Sequence, residues 1–149
     1  LEAEVYPDPR VAEFVTRQFV PAKVHIKEQK PVFERFGAHW TPTQLVLDED
    51  GTEQHRIEGF LPAEDFLAQL ELGLAKRHFK HQEFGEAASQ FRSLCDRSPA
   101  AGAGPEACYW AGVAAYKDDS DASHLKESAE VLRRRYPDSE WARKASVWG

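Results

Sequence analysis

Trp40-Thr41-Pro42-Thr43-Gln44-Leu45-Val46-Leu47-Asp48-Glu49-Asp50-Gly51 is the stretch whose reading decides the fold. A proline stands directly before a short apolar run, and the run ends in an Asp-Gly turn. Proline cannot donate to a sheet ladder, so a strand tolerates it only at its first residue, an edge or a bulge. Thr43 to Leu47 therefore reads as a strand beginning just after Pro42. Its near-continuous apolar centre (Leu45, Val46, Leu47) implies burial on both faces. Asp50-Gly51 makes a hairpin turn. The half-polar run Thr52 to Glu58, ending at Gly59, is the returning strand. An X-Pro bond at the mouth of a strand is where a cis peptide costs least, about 0.5–1 kcal/mol. The Thr41–Pro42 bond is expected to be cis.

Upstream, Leu1 to Val5 is a short amphipathic piece, read as the end of a helix. Asp8-Pro9 is a helix start, with Asp as N-cap and Pro in the first turn. Val11, Phe14, Val15 and Phe19 form that helix's apolar stripe. Val20, Ala22, Val24 and Ile26 then alternate with Pro21, Lys23 and His25, which predicts a strand over Phe19 to Ile26. Pro21 makes it an edge strand. Lys30 to Phe36 is a short helix with Val32, Phe33 and Phe36 inward and Gly37 as its cap. Pro62 opens another helix, with Glu64 and Asp65 favourable to its dipole and Phe66, Leu67, Leu70 and Leu74 on its buried face. No turn cluster interrupts that stripe. The helix should run unbroken to about His81, although Gly73 costs about 1 kcal/mol against alanine.

From Gly73 onward the period is helical and no strand signal occurs. Leu74, Ala75, Ala87, Phe91, Leu94 and Pro99 return 38 residues later as Gly112, Val113, Leu125, Ala129, Leu132 and Pro137. Trp110-Ala111 and Trp141-Ala142 repeat at 31, the difference being assigned to extra loop residues around Ala100 to Pro105. Helix pairs of about 34 residues, with small residues at the crossings and proline closing each unit, resemble the tetratricopeptide repeat. Ser139 to Trp148 would open a third unit or cap the array. Tyr109, Trp110, Tyr116, Trp141 and Trp148 fit helix cores at the repeat interfaces.

Composition excludes several classes of partner. The net charge is −6, and the densest basic run, Arg133-Arg134-Arg135, sits among acidic residues and reads as a solvated helix face. Nucleic acid needs clustered cations and is not expected. No apolar run approaches the ~18 residues of a membrane span. His78 and His81 share a helix face, but no further ligand completes a metal site. Cys95 and Cys108 are the only cysteines. They lie thirteen apart in alanine-rich helical surroundings and are expected to be reduced and buried. No cofactor is implied. These features set the expectation of a cytoplasmic protein. Methionine is absent, even at position 1, so the sequence is expected to be part of a longer chain.

The order of elements over about Leu1 to Leu72 resembles the thioredoxin fold. The resemblance rests on Thr41-Pro42-Thr43, Asp48-Glu49-Asp50-Gly51 and Gly59. Leu1-Glu2-Ala3-Glu4-Val5 and Asp8-Pro9-Arg10-Val11 resemble the run that follows Cys-x-x-Cys-Lys in one branch of thioredoxin-like proteins. The resemblance implies about thirty further residues upstream, carrying the catalytic pair and a central first strand. It also implies that Trp40, Thr41 and Pro42 bind substrate, because the cis-proline loop of that family aligns a client peptide as an added strand. No catalytic residue is expected within the sequence itself.

The expected architecture is α/β: a thioredoxin-like domain over residues 1–72, N-terminally incomplete and lacking its first strand and Cys-x-x-Cys, then an all-α tetratricopeptide-like segment over 73–149. The expected function is thiol–disulfide exchange or redox-linked handling of protein clients, with the helical segment binding a partner. It is an enzyme, a protein-disulfide oxidoreductase, if an upstream Cys-x-x-Cys exists. The alternative is a redox-inactive binding module acting as co-chaperone or scaffold. Expected partners are protein or peptide clients and, for the redox enzyme, a protein supplying thiol reductant.

Overall fold

Asp8 accepts the Arg10 backbone N–H at 2.9 Å and starts helix α1, Pro9–Gln18. The computed structural model that shows this describes residues 1–97 and 102–149. Before α1, the Val5 and Tyr6 N–H groups both donate to the Leu1 carbonyl at 2.9 Å, closing a single turn. Helix α2, Lys30–Arg35, is followed by Gly37 at φ +60°. Strands β1, Thr43–Leu47, and β2, Glu53–Glu58, form a two-stranded sheet. Between them, Gly51 N–H donates to Asp48 O at 2.9 Å and Asp48 N–H to Thr52 O at 2.8 Å. Gly51 has φ +82°, a left-handed conformation that glycine adopts without a Cβ penalty. The turn is thus a five-residue loop closed through Asp48, wider than a bare Asp-Gly pair.

The remaining helices are α3, Ala63–Lys80, α4, Phe84–Arg97, α5, Ala103–Asp119, α6, Ser123–Arg135, and α7, Glu140–Ala145, which passes into a 3-10 turn, Ser146–Trp148. Helix α3 is unbroken through Gly73, as the continuous apolar stripe predicts. Among the described residues, no helix is long and apolar enough to cross a membrane.

The chain divides into two compact units: Leu1–Leu45 with Arg56–Leu67, and Val46–His55 with Ala68–Gly149. In the first, Val5, Val11, Ile57 and Phe66 are buried, and the Tyr6 ring meets Phe66 edge-on at 6.1 Å. The expected strand over Phe19 to Ile26 does not form. Val20 is 98% exposed, and residues 19–25 carry no strand pairing. Alternation specifies a strand only where a partner strand takes up its backbone groups, and here β1 pairs with β2 alone. For the same reason β1 is not buried on both faces: Val46 is buried, while Leu47 is 38% exposed.

The second unit holds the larger core. Leu72, Ala75, Ala87, Phe91, Leu94, Ala107, Ala111, Ala114, Ala129, Leu132 and Ala145 are buried in one cluster. Successive helices from α4 to α7 contact one another. Gly112 stands where α5 and α6 approach closely. A Cβ on Gly112 would lie 2.4 Å from Ser128 Oγ and 2.9 Å from the His124 carbonyl oxygen. Pro99 of that pattern, with Ala100 and Ala101 after it, lies outside the described residues. Pro105, assigned to a loop, is in the first turn of α5, where proline's missing N–H is harmless. Tyr109, Trp110, Trp141 and Trp148 are half-buried around the core, Tyr109 stacking on Trp148 at 4.7 Å. Tyr116 is 39% exposed rather than in the core.

Cys95 and Cys108 are joined in a disulfide, not reduced. Both are buried, as expected. The packing of α4 against α5 brings their Cα atoms to 4.8 Å, within bonding reach.

Gly73 has a packing reason that outweighs its poor helix propensity. A Cβ there would lie 2.9 Å from Val46 Cγ2 and 3.2 Å from His55 Cβ. The two hairpin residues therefore occupy the space a side chain would fill. Gly73→Ala is expected to destabilise the protein by about 1–3 kcal/mol, the cost of overpacking, although alanine gains about 1 kcal/mol in helix propensity elsewhere. Urea unfolding checks this; an unchanged or raised midpoint would mean that the hairpin does not lie against α3.

Candidate functional site

The Thr41–Pro42 peptide bond is cis. Two hydrogen bonds fix the loop around it. Pro42 O accepts the Gly59 N–H at 2.8 Å, tying the loop to the end of β2. Thr43 Oγ1 donates to Trp40 O at 2.7 Å, drawing the preceding turn in. Gly59 has φ +89°, which turns the chain after β2. Arg56, whose guanidinium donates to Phe36 O and pairs with Glu58 at 3.5 Å, secures α2 to the same end of the strand. Thr41 itself is left over: among the described residues, no hydrogen bond takes up its N–H, carbonyl or hydroxyl. Trp40 beside it is 64% exposed and Phe60, after Gly59, is 51% exposed.

The unengaged main-chain groups of Thr41, next to the exposed Trp40, are of the kind an extended peptide can pair with, main chain giving affinity and side chains specificity. Sequence reading pointed to Trp40, Thr41 and Pro42, which are contiguous. It did not single out Arg56 or the bond from Gly59 N–H to Pro42 O. The glycine at the end of β2 was the available signal for that bond.

His78 in the last turn of α3 and His81 just past its end face different carboxylates. His78 Nδ1 lies 3.3 Å from Glu83 Oε2, and His81 Nε2 lies 2.6 Å from Asp48 Oδ2. Asp48 also accepts Arg77 Nε at 3.1 Å and the Glu49 backbone N–H at 3.0 Å. Burial alone raises the Asp48 pKa, but Glu49 N–H, His81 and Arg77 offset this and hold the carboxyl below its usual value. Each of the two histidines thus contacts a carboxylate, His81 while remaining exposed. Among the described residues, no group of three or more His, Cys, Asp or Glu is arranged to hold a metal ion.

A further polar chain runs from β2 through α3 to α5 within the second unit. His55 Nε2 lies 2.7 Å from Gln69 Oε1, and Lys76 Nζ lies 3.1 Å from His55 Nδ1. Lys76 also pairs with Glu106 at 2.6 Å. An ammonium against Nδ1 requires that nitrogen to accept, so Nε2 carries the only ring proton and His55 is neutral. Burial, and then the charge of Lys76, push its pKa below the ordinary histidine value.

Residues 1–74 match the family model of the thioredoxin-like domain. No curated protein and no solved structure matches the chain. The N-terminal half is therefore similar to a thioredoxin-like domain, with the α/β layout of short helices around a small sheet, and the rest of the described chain is helical.

His55 gives a pH test of the polar chain. A histidine whose pKa is lowered on folding contributes stability that is present above its unfolded pKa of about 6.5 and is lost as pH falls toward the folded value. Stability of the protein is expected to fall more steeply on acidification below that point than stability of His55→Gln. Chemical denaturation of both at a series of pH values reads the difference; parallel profiles would contradict a neutral buried His55.

Proposed function

We propose that the chain is part of a thioredoxin-like protein that handles protein clients, holding an extended client segment at Trp40, Thr41 and Pro42 in the course of thiol–disulfide exchange. One observation carries the reading: the Thr41 backbone is unengaged beside an exposed Trp40, inside the segment that matches the thioredoxin-like family model. Exchange needs a thiolate attacking a disulfide and a second thiol resolving the mixed disulfide. The sequence contains no Cys-x-x-Cys, so the dithiol of this proposal is supplied from outside these 149 residues, with a partner protein returning it to the reduced form. The helical unit is read as tetratricopeptide-like, on its repeat at 38 residues and its small-residue crossings, and as the partner-binding part.

The Cys95–Cys108 bond favours a second reading. The chain's two thiols are occupied by each other, which suits a redox-inactive binding module acting as co-chaperone or scaffold. The bond also removes the cysteine argument for a cytoplasmic location and favours a compartment in which disulfides persist.

Trp40→Ala is expected to weaken binding of an unfolded client peptide about tenfold, on the scale of an exposed aromatic anchor, with circular dichroism unchanged because the side chain is largely in solvent. Fluorescence anisotropy measures the affinity. Unaltered affinity would remove the loop from the binding site. Turnover of a protein disulfide by the intact protein, under a recycling thiol, separates the two readings: turnover supports the oxidoreductase, and binding without turnover supports the module.

A further inference from the structure

The second unit contains a cavity of about 360 Å³ that opens to solvent between α3, α4 and α5. That volume lies in the range of ordinary ligand sites, about 300–1,000 Å³. Its walls are aromatic: Phe79, Phe84, Phe91 and Trp110. Phe79 stands edge-on to both Phe84 and Trp110, at 5.2 and 5.3 Å. Phe91 is fully buried beneath. Such walls present ring edges and faces to an incoming aromatic group in the geometry that rings prefer.

Three lysines border the cavity in a chain whose net charge is −6. Lys76 is already neutralised by Glu106 at 2.6 Å. Lys80 and Lys117 are exposed and, among the described residues, neither has a salt-bridge partner. Each lies in the last turn of its helix, where it offsets the carbonyl end of the dipole. That accounts for a cation at each position but not for two uncompensated cations beside one apolar cavity. Gln54 and Gln82, the other polar residues of the lining, are neutral.

We infer that this cavity binds an acidic peptide segment of a partner protein, an aromatic side chain entering between Phe79, Phe84 and Trp110 while flanking carboxylates meet Lys80 and Lys117. The open mouth suits a side chain that remains attached to a chain outside. The inference rests on the reading of the helical unit as the partner-binding part, and it is independent of any chemistry at the cis-proline loop.

The test uses the whole chain and a fluorescein-labelled peptide with one Phe flanked on both sides by Glu. A second peptide carries Lys in place of Glu. The Glu peptide is expected to bind with an affinity that falls as salt rises. Lys80→Glu with Lys117→Glu should weaken it about tenfold or more, the scale for reversing two exposed charges. Both lysines are exposed, so circular dichroism of the double variant should match the parent. Trp40→Ala should leave binding of this peptide unchanged. The inference is overturned by equal binding of the Glu and Lys peptides, by parent-like affinity in the double variant, or by no binding up to about 1 mM, the weak end of specific recognition. Loss of binding in Trp40→Ala alone would place the peptide at the cis-proline loop, sinking this inference and leaving the proposed function standing. Lysine-dependent binding, together with an unfolded client indifferent to Trp40, would uphold this inference and remove the loop from the proposed function.

Discussion

At Gly73 the absence of a side chain lets Val46 and His55 approach the α3 backbone to a distance at which even a Cβ would collide. Much of the second unit follows from that approach. Leu72 and Ala75, on either side of the glycine, are fully buried in the helical core. His55, brought to the helix, reaches Gln69 and Lys76, and Lys76 reaches Glu106 on α5. At the far end of the hairpin, Asp48 takes Arg77 from the same helix and His81 from just past its end. One helix therefore serves a dry interface and two polar ones, and a larger residue at position 73 would disturb each.

The sequence was legible where local rules decide. Asp8-Pro9 starts α1, Thr43 to Leu47 is β1 to the residue, and the stripe from Phe66 to Leu74 runs through one helix. Pro42 before the strand led to the cis bond; of the repeat positions, Ala87, Phe91, Leu94, Gly112, Ala129 and Leu132 are buried, while Leu74, Val113 and Leu125 are half-buried and Pro137 is exposed. It was illegible where the outcome depends on a distant partner. Alternation at Phe19 to Ile26 looks like a strand, but nothing in the alternation states whether a neighbour exists to pair with it. Cys95 and Cys108 read as reduced because alanine-rich helices commonly hold cysteine as a small buried residue, while the bond depends on how closely α4 and α5 pack. Gly73 read as a weakness because propensity is local and the Val46 contact is not.

The candidate site divides in the same way. Trp40, Thr41 and Pro42 are adjacent in sequence and could be found by motif. Gly59 joins them only because its N–H bonds back to Pro42 O across the hairpin. The aromatic cavity with Lys80 and Lys117 draws on three helices and a strand, so no window of sequence displays it.

Reception of an extended client by the loop is tested most directly at the Thr41 amide, which no acceptor among the described residues engages. Hydrogen–deuterium exchange of this amide, followed with and without a saturating unfolded client peptide, reads the event itself. Exchange at Thr41 is expected to slow on binding, since a paired strand takes up its main-chain groups. Unchanged exchange at Thr41 with the client bound would contradict client pairing and leave the loop a structural turn.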